Sequence, residues 1–449
     1  MSGGGLLDHI FAGRTIGPVF SDAAHVQGML DFEAALARAE VRAGVIPATA
    51  VKPIVAACDA SLYDLDALGA ASRDAGNTFI PLQAALAARV AATDKAAAGY
   101  VHWGATSQDA MDTGLVLQLR TAFAVLDDDL AAYARALARL AKKYRATPMA
   151  GRTWMQQALP VTFGLKAATW LDAVLRHRAR LKEMRPRVLA LQFGGAAGTL
   201  ASLGAKGPAV ARHLARELRL SLPEVPWHGA RDRVVEAGLF AAALTGSLGK
   251  MARDVALMAQ TEVGEVAEPA GEGRGGSSAM PQKRNPVSCA AILANAARTP
   301  GLAQTLLAVM PQENERGLGG WHAEWAVVPE LFLLAGGALE HAVTLAEGIE
   351  VFPNRMAANL AATGGQVMAE SVKMRLAREI GQGAAHAAIR RASDAAAAKG
   401  TDLRTALLAD AEIARALTAR EIDRALAPEN YLGSALKFID GVLARRGRK

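Results

Sequence analysis

The sequence predicts an all-α protein of three helical domains, the middle one a bundle of long helices, on three observations. The chain is 51% apolar, alanine and leucine dominate, and runs of β-branched residues are scarce, a balance that favours helix nearly throughout. Apolar residues recur at helical spacing over segments much longer than an ordinary globular helix. Glycine and proline clusters punctuate these segments and mark where each helix should stop.

Residues 1–105 carry short helical patterns that Gly44, Pro47, Pro53, Gly76 and Pro81 are expected to break, giving a small N-terminal domain. Leu119, Phe123, Leu126, Leu130, Tyr133, Leu137, Leu140 and Tyr144 then alternate steps of four and three. That is the seam of a long helix packed on other long helices. Thr106, Ser107 and Asp109 suit its start, and Pro148 lies beyond its end. Running from about 108 to 145, it should be about 55 Å long at 1.5 Å per residue. Further long helices are expected at about 158–190, 230–265, 287–310 and 323–348, with glycine and proline clusters between them. Residues 106–350 are therefore read as the central bundle domain, carrying a glycine-rich loop at 275–286. Shorter helices broken at Gly364-Gly365, Gly400 and Pro428 make residues 351–449 a C-terminal domain. Long helices with wide apolar seams also imply that bundles pack on one another in an oligomer.

Several function classes are disfavoured. No window offers roughly eighteen uninterrupted apolar residues, so no membrane span is expected. Met1–Gly5 lacks the basic segment and apolar core of a signal peptide. The two cysteines, Cys58 and Cys289, form neither a CxxC pair nor a disulfide framework, which fits a cytoplasmic protein. The net charge is +7 and the pI about 9.5, but the basic residues are spread out and the one dense run, 445–449, is a terminal tail. Steering of a small polyanion explains this charge better than nucleic-acid binding. There is no GxxxxGK[ST] loop, no HExxH and no compact His/Cys cluster, so no metal and no cofactor is expected. Gly271–Gly276 matches GxGxxG, but a helical pattern rather than a strand precedes it, and the match is rejected.

Three polar stretches adjoin the long helices. The first is His102-Trp103-Gly104-Ala105-Thr106-Ser107-Gln108-Asp109, and the second Gly151-Arg152-Thr153-Trp154-Met155-Gln156-Gln157. The third, Gly275-Gly276-Ser277-Ser278-Ala279-Met280-Pro281-Gln282-Lys283-Arg284-Asn285-Pro286, joins mobile glycines to two hydroxyls, a lysine and an asparagine. Its prolines forbid regular helix, and it reads as a catalytic loop that closes over an anionic substrate. Backbone N–H groups at helix starts, with hydroxyls beside them, bind anions, so three such stretches would suit a substrate with several carboxylates. Each piece taken alone has a plainer reading: Thr106, Ser107 and Asp109 as helix caps, His102 as a satisfied histidine, Trp154 as core, Lys283 and Arg284 as solvated charges. Their joint occurrence favours the functional one.

In this order and spacing the three stretches resemble the fumarase/aspartase superfamily, which includes the argininosuccinate and adenylosuccinate lyases. Gly276–Pro286 matches that superfamily's GSSxMPxKxNP signature at every fixed position, and the resemblance covers essentially the whole chain. It implies an all-helical, three-domain homotetramer built on a twenty-helix core, with each active site assembled from three subunits. It also implies addition or elimination beside a carboxylate. Ser277 would move the proton at the α-carbon, Lys283 would stabilise the aci-carboxylate, and Asn285 would orient a carboxylate. His102, Thr106, Ser107, Thr153, Gln156, Ser278 and Met280 would bind substrate, with Arg316 and His322 contributing from the next glycine-rich break.

One departure narrows the expectation. Many members carry Arg-Thr-His in the second stretch, and that histidine protonates an amine or hydroxyl leaving group; this chain has Arg152-Thr153-Trp154. An indole N–H cannot serve as the acid, whereas a carboxylate with a pKa of about 4 departs without one. Gly151–Lys166, His102–Asp109 and Gly317–Glu324 together look like the lactone-forming cycloisomerase branch that acts in protocatechuate breakdown. There, one carboxylate of a carboxymuconate adds to a double bond. An adenylosuccinate-lyase-like release of fumarate is the runner-up, and a silent, crystallin-like structural protein the alternative of another class. The expected partners are a small polycarboxylate and further copies of the chain, with no nucleic acid and no membrane.

Overall fold

The computed structural model bears out the all-α reading. It describes residues 5–446 apart from 272–274, 277–279, 281 and 282. Helix α1 (Asp22–Arg42) opens on Ser21, whose hydroxyl accepts the Ala24 N–H, and α2 (Phe79–Ala91) follows after short helices. Two expected breaks do not occur: Pro53 and Pro81 sit in the first turns of helices Val51–Ala57 and Phe79–Ala91. The N–H groups of a first turn have no intrahelical acceptor, so proline removes nothing there.

Helix α3 (Ser107–Lys143) is the predicted long helix. Of its seam, Leu119, Phe123, Leu126, Leu130, Tyr133 and Leu137 are at most 1% exposed. Beyond it the chain forms an antiparallel hairpin, β1 (Pro148–Thr153) and β2 (Gln156–Thr162), where the sequence placed a loop and the start of a helix near 158. A β-branched pair, Val161-Thr162, ends β2, and the Thr162 hydroxyl then accepts the Leu165 N–H at 3.0 Å. That cap delays α4 (Phe163–Val188) to residue 163. Helices α5 (Asp232–Met258), α6 (Val287–Ala308) and α7 (Gly320–Gly348) complete the long set. By length and composition α5 and α7 could each cross a membrane, but 61% and 67% of their most apolar windows are buried inside the protein, as expected of bundle core.

The chain divides into two compact units. One comprises Met1–Leu130, His177–Lys250 and Ala291–His341; the other Ala131–Arg176, Met251–Ala290 and Ala342–Lys449. In the first, the rings of Phe20 and Phe123 flank Phe332 at 5.8 and 5.9 Å. There α1 and α3 cross at Gly28 and Gly114, where a Cβ on Gly28 would lie 2.9 Å from the Gly114 carbonyl oxygen. In the second, Val372, Leu376, Ile389, Leu403, Leu407, Ile413 and Ile422 form an apolar cluster among the short C-terminal helices.

Candidate active site

The sequence-predicted residues fall into two groups, one in each unit. In the first unit Thr106 precedes α3 and Ser107 begins it. The Asp109 carboxylate accepts the Thr106 N–H at 3.0 Å, so the expected capping is real, but Asp109 does more. It is fully buried and also accepts from the N–H groups of Gly194 and Gly195, both at 2.9 Å, from Gln192 Nε2 at 3.2 Å, and lies 2.7 Å from His228 Nε2. One carboxylate thereby fixes the start of α3, the turn after Gln192 and the buried His228.

Arg316 joins this group directly. Its Nη2 donates to the Thr106 hydroxyl at 3.1 Å and to the Ala196 carbonyl at 3.0 Å, and its Nε donates to Gln108 Oε1 at 2.9 Å. Gln108 continues to Asp112 at 3.0 Å. Asp112 and Glu324 grip the buried guanidinium of Arg231 from both sides at 2.7 and 2.5 Å, and Trp321 Nε1 adds a bond to Asp112 at 3.1 Å. Burial opposes the charge on Arg231, but the two carboxylates more than offset it and raise its pKa above the usual guanidinium value. The first turn of α7 is thus tied to that of α3. His322, between Trp321 and Glu324 on α7, is itself exposed, with its ring 4.5 Å from that of Trp325. His102 pairs instead with Glu33 at 2.6 Å.

The second unit holds the other two stretches. Arg152 makes a two-pronged ion pair with buried Glu265, at 2.7 and 2.9 Å, and Asn359 donates to the same carboxylate at 2.9 Å. These bonds anchor the hairpin from below. Thr153 pairs with Gln156 across the tip, leaving Trp154 and Met155 as a two-residue turn with φ of 53° and 66°. Positive φ at both positions is the geometry that matches the twist of a hairpin, normally supplied by Asn and Gly. Trp154 is 98% exposed and Met155 72%, so the core reading of Trp154 does not hold: the strands leave nothing beneath the tip for it to pack into.

In the loop, Ser277 and Ser278 lie outside the described residues. Its stem is closed: Asn285 N–H donates to the Gly275 carbonyl at 2.8 Å and Lys283 N–H to that of Met280 at 3.0 Å. Gly275 has φ 65°, and a Cβ there would come within 2.6 Å of the Asn285 oxygen, so this crossing requires glycine. Arg284 is no solvated charge. It pairs with Glu350 at 2.6 Å and donates to the Glu268 carbonyl. The Glu268 side chain in turn accepts the Ser288 and Cys289 N–H groups at 3.0 and 2.8 Å, capping α6. Among the described residues no cluster of His, Cys, Asp and Glu is arranged to hold a metal.

Sequence reasoning missed Glu33, Asp112, His228 and Arg231. The segment Trp227-His228-Gly229-Ala230-Arg231, polar and aromatic just before α5, has the character of the three chosen stretches and could have been added to them. Glu33 and Glu40, seven apart on the apolar helix α1, were a second available signal.

Comparison with known proteins agrees with this geometry. The lyase family model matches residues 16–301, and a model for the adenylosuccinate lyase C-terminus matches residues 365–442. The chain is 55% identical over 439 residues to the 3-carboxy-cis,cis-muconate cycloisomerase of Pseudomonas aeruginosa, with 98% of this chain and 96% of that one covered. It is 45% identical over 444 residues to the nitrosuccinate lyase of Streptomyces davaonensis, covering 97% and 94%. The crystal structure of the 3-carboxy-cis,cis-muconate lactonizing enzyme from Pseudomonas putida matches with a TM-score of 0.95 at 48% identity, over 99% of both chains. With the signature loop, the helical fold and these full-length matches in agreement, the chain belongs to the lyase family of the fumarase/aspartase superfamily.

Proposed function

We propose that this chain is an enzyme that cycloisomerises 3-carboxy-cis,cis-muconate to 4-carboxymuconolactone, a step of protocatechuate breakdown. The observation that carries the reading is Trp154, set on the hairpin tip where many relatives place a proton-donating histidine. A carboxylate closing on, or leaving from, the β-carbon needs no acid. In the lactone-forming direction one carboxylate oxygen attacks the β-carbon as the double bond opens toward the α-carbon. The electrons settle in the neighbouring carboxylate as an aci-carboxylate, and the α-carbon then takes a proton from Ser277.

Lys283 stabilises the aci-carboxylate, and Asn285 orients it. His102, Thr106, Ser107 and Gln156 share the remaining carboxylates. Thr153, Ser278 and Met280 line the substrate, and Trp154 covers the planar diene. With Nε and Nη2 of Arg316 already bonded, its Nη1 is the group it has to offer a carboxylate, and His322 adds a further contact. The active form is a cytoplasmic homotetramer of three-domain subunits, divided near residues 105 and 350, with sites completed by three subunits and with no metal or cofactor in the reaction.

The test is the loss of 3-carboxymuconate absorbance on adding purified enzyme, with Ser277→Ala lowering turnover by about a thousandfold. Near-wild-type turnover of that variant would remove the serine from the chemistry. A second reading, β-elimination releasing fumarate, is favoured by the nitrosuccinate lyase relative and by the C-terminal family match. Fumarate formed from adenylosuccinate or nitrosuccinate, with carboxymuconate untouched, would install it instead.

A further inference from the structure

Glu33 lies on α1 with its side chain 1% exposed, and its Oε1 is 2.6 Å from Nδ1 of His102, whose own side chain is 8% exposed. His102 has a left-handed backbone, φ 58°, which costs a residue with a Cβ about 1 kcal/mol or more and persists only where its surroundings enforce it. The ring also lies against Phe79 of α2, with centroids 4.6 Å apart. Backbone, carboxylate and aromatic face therefore fix the imidazole together.

The charged groups around this ring are acidic. From α1 comes Glu33 and from α3 Asp109, itself bonded to His228; Glu40, two helical turns further along α1, feels the charge of Glu33. Phe79 is the contribution of α2 and carries no charge. Glu40 is fully buried with neither carboxylate oxygen hydrogen-bonded. Burial, helped by the charge on Glu33, pushes its pKa up to about 9, so it is neutral near pH 7. Burial alone would drive His102 toward the neutral form. The charge and hydrogen bond of Glu33, with the charge of Asp109, reverse that and hold its pKa above the ordinary histidine value.

We propose that Glu33 is a positioning residue for the reaction: it locks His102 as a fixed cation, with Nδ1–H given to Glu33 and Nε2–H presented to a carboxylate of the substrate. This rests on the reading of His102 as a substrate-binding residue. Thr106, four residues on, holds Arg316 at 3.1 Å, so an imidazolium and a guanidinium are both set by the turn that leads into α3. Two preorganised cations spare the site the cost of recruiting charge when the polyanion arrives.

The test uses full-length enzyme carrying [13Cε1]histidine, in which the resonance missing from His102→Gln identifies His102 among the nine histidines. In the wild type, His102 should titrate above the ordinary histidine value of about 6.5. In Glu33→Gln its transition should fall, and KM for carboxymuconate at pH 8 should rise about tenfold with kcat little changed. The deficit should shrink toward pH 6, where the imidazole protonates unaided, and Glu33→Asp should recover part of it. A merely structural pair predicts an equal loss at every pH, and that result overturns the proposal. So does a wild-type His102 that titrates at or below about 6.5, a measurement that needs no Glu33 variant to fold. If His102→Gln leaves KM unchanged, the substrate-binding reading of His102 is what fails, and the titration tells the two failures apart.

Discussion

Glu40 shows what a single residue contributes outside the chemistry. Its folded pKa of about 9 stands above the ordinary 4.5 because burial penalises the charged form. Between those values the folded chain keeps a proton that the unfolded chain has released, so stability falls as pH rises through this window. Glu40→Gln removes the titration, so its melting temperature should exceed that of the wild type by a margin that widens from pH 6 to pH 8.5. An unchanging margin would show that Glu40 is ionised and paired in solution. At this scale, legibility in the sequence followed distance along the chain. The capping role of Asp109 could be read from its neighbours Thr106 and Ser107. Its bonds to Gln192, Gly194, Gly195 and His228 could not, because no local pattern records which segments more than eighty residues away meet it. Arg231 was hidden for the same reason, and its partners Asp112 and Glu324 come from two other helices.

At the level of elements, helices with a long apolar seam were read well and the hairpin was not. The seam of α3 repeats often enough to set both the type and the extent of the element. The strands 148–153 and 156–162 are short, interrupted by Pro160, and joined by Trp154-Met155, which carries none of the usual turn chemistry. The backbone at Met155, φ 66°, strains any side chain with a Cβ. Met155→Gly should therefore raise the denaturation midpoint, by about 1 kcal/mol in stability, and Met155→Val should lower it. If glycine gives no gain, the tip does not hold this left-handed turn in solution. The loop 275–286 was legible as a family signature from its residues, but the contacts of Arg284 with Glu350 and Glu268 beside its closed stem are a set that only the folded chain brings together.

For the whole molecule, the family and fold were readable because an eleven-residue signature and the five long helices agree with one another. The oligomer remains a proposal with a direct test. If His102 and Ser277 of one site come from different subunits, a mixture of the weakly binding His102→Gln and the inactive Ser277→Ala proteins, dissociated and reassembled together, should regain wild-type kcat/KM in about one quarter of its sites by random assortment. Gel filtration at the tetramer mass with no regained activity would place both residues in the same subunit. The net charge of +7 acts at this scale too, drawing a tricarboxylate toward every site from a distance. The apparent association rate should fall as ionic strength rises.

The anchoring of the hairpin has a consequence for how such enzymes diversify. Arg152, Glu265 and Asn359 secure its base, while the two side chains at its tip stand clear of the rest of their own unit. Mutation can therefore sample position 154 without disturbing the packed interior. On the proposed role of Trp154, a lineage moves between leaving groups that need an acid and those that do not by changing one exposed residue, while retaining its loop and its helices. The tip behaves as an interchangeable tool on a fixed handle, which gives laboratory selection for a new leaving group a small and well-defined target.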